Sequence, residues 1–207
     1  MLRHFSFILI SLSLAACATS SHPSMKTMWF SVSDLQAPNR DVSAKPSGNE
    51  KSYISMDLPV RVFEKLRVEL EASQNLKLKS RGEAHITLVT PQEFKKLSKK
   101  VPASALHTLA DEMDLQKSPY KLLCVGKGSV KTESTFYVVI ESDRLFQIRK
   151  ALQALYVKKG GAATDFLPEE FYPHVTVGFT QRDLHIEEGV VKDASSCIYS
   201  LRSEQTK

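Results

Sequence analysis

Two short segments carry the residues best suited to chemistry. Ala84-His85-Ile86-Thr87-Leu88 and Pro173-His174-Val175-Thr176-Val177 each place a His and a Thr two positions apart inside an apolar run. On a strand, successive side chains alternate faces, so each His and Thr project together, about 7 Å apart, while Ile86, Leu88, Val175 and Val177 point into a core. Two such units facing one another supply two imidazoles, able to act as acid and base near neutral pH, and two hydroxyls that donate hydrogen bonds to a phosphate. Spacing alone is a weak signal, because four of the six histidines are followed two residues later by Ser or Thr. His4 and His22 match by accident. The other two read His-x-Thr, sit in β-branched apolar stretches, and resemble each other, HITLVT against HVTVGFT.

The elements that must position these units repeat. Ser52 to Leu58 alternates as a strand does, and is followed by Pro59, by Phe63, Leu66 and Leu70 at helical spacing, and then by the first motif. Thr135 to Glu141 reads as a second such strand; Leu145, Ile148, Leu152 and Leu155 mark one face of a helix running to about Tyr156, and the second motif follows. The His-x-Thr units stand 89 residues apart, and the second copy has the longer loop, Lys158 to Tyr172. Between the copies, Pro91 to about Lys100 and Ala103 to about Met113 read as helices. Tyr120 to Val125 reads as a strand that turns, over Gly126 to Lys131, into the next. The pattern predicts an α+β fold, bilobal with a pseudo-two-fold axis, in which each lobe gives one motif strand to a central cleft. A reaction that needs a base on one side of a phosphorus and an acid on the other is served by two related half-sites.

The N-terminus has a different character. Arg3 is the only formal charge before an apolar stretch, Phe5 to Leu14, that is too short for a transmembrane helix, which needs about 20 residues. Small residues then precede Cys17. Residues 1–16 read as a secretory leader and resemble a bacterial lipoprotein signal. That resemblance implies a lipid on Cys17 and, with Ala18 rather than Asp following it, anchorage in the outer membrane facing the periplasm. Residues 17–51, rich in Ser, Thr, Pro, Asn and Lys, read as a flexible tether able to hold a domain some tens of ångströms off the membrane. The apolar patch Met28 to Val32 interrupts it and is expected to dock as a passive strand or turn. Residues 52–207 suit one domain.

The formal charge of +5 is modest and falls by one with Arg3. It suits a phosphorylated ligand, with clusters at Lys95, Lys96, Lys99, Lys100 and at Lys77, Lys79, Arg81, although such runs are more often solvated faces. Cys124 and Cys197, in an exported protein, either pair or remain buried thiols; sequence does not bring their Cα atoms within the roughly 7 Å that a bridge needs. No Cys-x-x-Cys or His-x-x-x-His spacing suggests a metal site.

The pair H-I-T-L and P-H-V-T-V-G-F, the strand and helix before each, and the whole structural half between them resemble the two-histidine (2H) phosphoesterase superfamily, over about residues 52–182. The resemblance implies two antiparallel sheets flanked by helices around a cleft. It implies catalysis by His85 and His174, with Thr87 and Thr176 on the phosphate, no metal and no cofactor. It implies substrates with a 2',3'-cyclic phosphate or a related phosphodiester of a nucleotide or RNA end, acted on by a monomer. Water attacking such a phosphate needs one neutral imidazole and one imidazolium, and reference pKa values near 6.5 predict a bell-shaped pH profile. The sequence leaves open which histidine is the acid.

Other residues carry weaker readings. Phe171 and Tyr172, just before the second motif, could stack on a base, Tyr172 being the candidate substrate contact, although an aromatic before a core strand more often packs. Lys158 to Asp165 is either a lid or a plain surface connection. Glu83 either orients His85 or faces solvent, Asp57 has no defensible role, and His107 and His185 read as surface or structural. The alternative to an enzyme is a lipoprotein that binds a phosphorylated ligand, or an envelope partner, on the same fold without turnover. RNA ligation is disfavoured for a protein outside the cytoplasm without an extended basic, aromatic surface.

Overall fold

A computed structural model of the chain describes residues 25–36 and 52–204. The expected leader, Cys17 and most of the expected tether lie outside the described residues. Among the described residues no helix is long and apolar enough to cross a membrane.

The patch around Trp29 forms β1 (Thr27–Phe30), an edge strand whose Met28 is buried while Trp29 faces out. A short helix, α1 (Val32–Gln36), follows and sets its buried Asp34 against Arg61 and Lys65.

The first copy of the repeated unit is β2 (Ile54–Asp57), α2 (Val60–Gln74) and β3 (His85–Val89). Helix α2 buries Val62, Phe63, Leu66 and Leu70, the stripe its spacing predicts, and stops at Asn75, whose left-handed backbone turns the Leu76 N–H back onto the Glu71 carbonyl. β2 and β3 pair antiparallel with Asp57 opposite His85 and Ser55 opposite Thr87.

Thr90 ends β3 and begins α3 (Pro91–Leu97) by a capping box. Its hydroxyl accepts the Glu93 N–H, and the Glu93 carboxylate accepts the Thr90 N–H. Helix α4 (Ala103–Glu112) then leads to β4 (Lys121–Val130). This strand runs straight through Gly126, where the sequence reading put a turn; the chain reverses only at Lys131, with φ 53°.

The second copy is β5 (Glu133–Glu141), α5 (Asp143–Lys158) and β6 (His174–Phe179). Ser142 caps α5, and the buried stripe is Leu145, Ile148, Arg149, Leu152 and Tyr156, with the expected Leu155 partly buried against the core beside them. The last strand is β7 (Cys197–Ser203).

The strands form a five-stranded sheet in the order β1-β7-β4-β5-β6 and a two-stranded sheet, β2-β3. Two purely antiparallel sheets were expected, but β1 joins β7 in parallel, Met28 opposite Leu201. The helices tie the two sheets together. α2 packs on β6 and β1, and α5 on β3, so the helix of each copy covers the motif strand of the other. One main core cluster therefore extends from Met28 to Tyr199.

Cys124 and Cys197 are bridged across the neighbouring strands β4 and β7, with Cα atoms 5.8 Å apart. The bond closes a span of 73 residues, so it removes considerable entropy from the unfolded chain. Reduction, or replacement of both cysteines by Ser, is expected to lower stability by about 2–4 kcal/mol, read as the fall in Tm between oxidised and reduced protein. An unchanged Tm would contradict this.

The segment before β3 also reaches the second motif. Lys79 and Phe179 exchange backbone hydrogen bonds of 2.8 and 3.0 Å. Gly178 permits this approach, because a Cβ there would lie 3.0 Å from both Leu78 Cβ and the Lys79 carbonyl oxygen. Backbone cannot yield as a side chain can, so Gly178→Ala is expected to cost about 1–3 kcal/mol in chemical denaturation.

Candidate active site

β3 and β6 lie against each other, and both His-x-Thr units open into one cavity of about 640 Å³. His85, Thr87, His174, Thr176 and Tyr172 all line it. The alternation that the strands predict is present. The four motif side chains are half-buried, whereas Ile86, Leu88, Val175 and Val177 are at most 3% exposed.

The two histidines have different neighbours. His174 Nδ1 is 2.7 Å from the Tyr172 carbonyl oxygen, which can only accept, so Nδ1 carries a proton and the Nε2 lone pair faces the cavity. Lys192 Nζ lies 3.2 Å from that Nε2 and 3.0 Å from Asp183 Oδ1. Asp183 also accepts from Thr135 Oγ1 at 2.8 Å and Thr176 Oγ1 at 3.1 Å, with an Arg81 guanidinium nitrogen at 3.4 Å. Beneath them the Tyr137 ring meets the imidazole edge-on at 5.8 Å and lies 5.3 Å from Lys192 Nζ.

Burial, and next the Lys192 ammonium, pull the His174 imidazole down to about 3, against the Tyr172 carbonyl and Asp183. The Asp183 carboxyl, which burial pushes up, is carried below its ordinary value by Lys192 and Thr135. Burial lowers Lys192 more than Asp183 raises it.

His85 instead faces a carboxylate. Glu83 Oε1 is 3.7 Å from its Nδ1, and the Tyr53 ring lies 6.3 Å from its ring. Of the two readings of Glu83, the structure places the carboxylate beside the imidazole, within the same cavity.

Residues 52–185 match the family model described as Swiss Army Knife, 2H phosphoesterase domain. The chain belongs to the 2H phosphoesterases. A phosphoesterase-type activity goes with that family. Comparison with curated proteins and with solved structures gives no match.

In this 2H phosphoesterase, sequence reasoning missed Lys192, Asp183 and Tyr53. Asp183 sits seven residues after Thr176 in a polar stretch, and Lys192 follows two valines, so neither differs in pattern from a surface charge. Lys192 is nevertheless only 3% exposed, and it lies beyond the matched span. Tyr53 opens a strand whose alternation was read, and its parity with Ser55 and Asp57, which pair across from Thr87 and His85, was a usable signal.

The basic clusters divide. Only Lys96 of the first and Arg81 of the second line the cavity; Lys77 is solvated beside Glu71, and Lys79 reaches the Gln181 carbonyl. None of the segment Lys158 to Asp165 lines the cavity, and it is fastened to α5 by Tyr156 Oη donating to Asp165 and by Gln153 donating to the Ala163 carbonyl. Phe171 packs, as expected, against Phe146. His107 sits against Phe94, whereas His185, read as surface or structural, stands exposed at the cavity wall. Among the described residues, no group of three or more His, Cys, Asp or Glu side chains could hold a metal ion.

Proposed function

We propose that the cleft hydrolyses 2',3'-cyclic phosphates, or related phosphodiesters of nucleotides and RNA ends, by paired histidine acid and base catalysis. One observation carries the reading: two His-x-Thr units from different sheets share a single cavity. The reaction requires that arrangement. One imidazole takes a proton from water as its oxygen attacks phosphorus, and the other gives a proton to the departing ribose oxygen. Hydroxyl and ammonium donors hold the non-bridging oxygens, on which charge builds in the transition state.

The cavity of about 640 Å³ is in the range of small-molecule sites and suits a mononucleotide or a chain end. Tyr53 and Tyr172, both half-buried in its wall, offer rings on which a base can stack. The two strand, helix, motif-strand copies support a pseudo-two-fold relation between the half-sites.

The same reading places the protein in a bacterial envelope, lipid-anchored through Cys17 and acting as a monomer without a cofactor. The Cys124–Cys197 bridge supports an oxidising compartment. The test incubates the protein with 2',3'-cyclic nucleotides and short 2'-5' and 3'-5' linked RNAs in EDTA. Turnover of at least one is expected. Saturable binding without turnover across the panel would turn the reading into that of a ligand-binding lipoprotein.

A further inference from the structure

The two histidines of the cleft are alike in sequence and unlike in charge surroundings. Around His174 stand Lys192 and Arg81 as cations, Asp183 and Glu187 as carboxylates, and His185. The group in direct contact with its Nε2 is the Lys192 ammonium. Around His85 the Glu83 carboxylate stands 3.7 Å from Nδ1, and Asp57 pairs with His85 across β2 and β3.

We infer that Lys192, anchored on Asp183, breaks the symmetry of the site: it makes His174 the base, leaves His85 as the acid, and supplies the phosphate donor on the His174 side. This rests on the phosphodiesterase reading of the cleft.

Three observations converge on it. First, the tautomer of His174 is fixed by the Tyr172 carbonyl, so Nε2 is the atom free to accept a proton. Second, a cation at hydrogen-bond distance opposes an imidazolium there, whereas a carboxylate near His85 favours one. Third, Thr176 donates its hydroxyl hydrogen to Asp183, whereas the ammonium beside it has three hydrogens, one on Asp183 and one on His174, and a third to give to a phosphate.

An arriving phosphodiester carries a negative charge and competes for the hydrogen that Lys192 gives to Nε2. When the ammonium turns to a phosphate oxygen, Nε2 is released and the anion offsets the charge that had suppressed its basicity. Water then attacks phosphorus. The new P–O bond forms as a water proton passes to His174 Nε2. The bond to the leaving ribose oxygen breaks as that oxygen takes a proton from the His85 imidazolium. The cycle closes when His174 returns its proton to solvent and His85 regains one.

Lys192 thus contacts both the base and the phosphate, and its effect on the His174 ring is read apart from turnover. In the free protein, titration of the His174 ring followed by ¹⁵N NMR is expected to fall far below the ordinary imidazole range; in Lys192→Met it should move up, with burial still holding it below about 6.5, and Lys192→Arg should hold it low. The kcat/KM profile of the wild type should lack an acid limb near 6.5, and in Lys192→Met the acid limb should move to higher pH in step with the His174 ring. A His174 that titrates normally in the wild type, or is unmoved by Lys192→Met in a folded variant, overturns the inference whether or not any substrate is turned over.

The role assignment has its own readout. A nucleotide p-nitrophenyl phosphodiester releases a leaving group that needs no proton, so His85→Ala should recover most of its lost rate on that ester and His174→Ala should not. The opposite pattern overturns it. The expected displaced titration with no turnover of any ester would leave the electrostatic pairing standing and remove the catalytic reading beneath it.

Discussion

His85→Ala and His174→Ala are each expected to lower turnover of the best 2',3'-cyclic substrate by about 10²–10⁴-fold, the contribution typical of a positioned acid or base. Both imidazoles are half-buried in the wall of a cavity and are not part of the apolar core, so the fold should survive either change. Circular dichroism melts within a few degrees of the wild type would confirm that. The double variant should be little worse than the poorer single one, because an acid without its base, or the reverse, is already stranded. Affinity for a product nucleotide should remain in His85→Ala, because that role is proton transfer and the phosphate donors stay in place. Turnover that survives either substitution would remove the two-histidine mechanism, and retention in both would move the chemistry out of this cleft.

Much of this site can be read from the chain because strands expose their chemistry at a period of two. His85 with Thr87, and His174 with Thr176, are polar residues on one parity of a run whose other parity is apolar, and packing then has only one way to orient them. The elements before each motif were legible for the same reason, since Phe63, Leu66 and Leu70 mark a stripe that α2 does bury. What stayed hidden depends on contacts between distant parts of the chain. Lys192 and Asp183 read as surface charges until β6 and the segment after it fold over Tyr137 and exclude water from them. The parallel docking of β1 on β7 joins residues about as far apart as the described chain allows, Thr27 with Ser200, and no local pattern specifies it. The glycines and lysines from Lys158 to Asp165 were compatible with a lid or with a plain surface connection. Glycine at Gly160, with φ 84°, serves the exit from α5. Arg149 was the one buried charge that left a trace in the sequence: it stands four residues after Leu145 and three before Leu152, on the apolar face of its helix.

That position makes Arg149→Met the substitution expected to harm stability most. The guanidinium is 1% exposed, and every side of it is used. Nη1 donates to the Leu88 carbonyl at 2.7 Å, Nε to the Pro168 carbonyl at 3.1 Å, and Nη2 to the Leu167 carbonyl at 2.9 Å and to Glu93 Oε1 at 2.8 Å. The rings of Phe166 and Phe171 lie 4.4 and 4.7 Å from its central carbon. One side chain of α5 thus holds the end of β3, the capping carboxylate of α3, and the segment that enters the second motif strand. Methionine fills much of the volume but leaves three carbonyls and a carboxylate without their donor. Breaking a buried ion pair from one side costs about 3–5 kcal/mol, and at this chain length each kcal/mol lowers Tm by about 2–4 °C. A fall of roughly 6–20 °C is therefore expected by calorimetry. Arg149→Lys should recover little of it, because a single ammonium cannot meet acceptors spread around a planar fork. Adding Glu93→Gln to Arg149→Met should restore part of the loss by removing the stranded charge. A Tm within about 2 °C of the wild type in Arg149→Met, less than one kcal/mol on that scale, would mean that the guanidinium fills space without joining the two halves of the cleft.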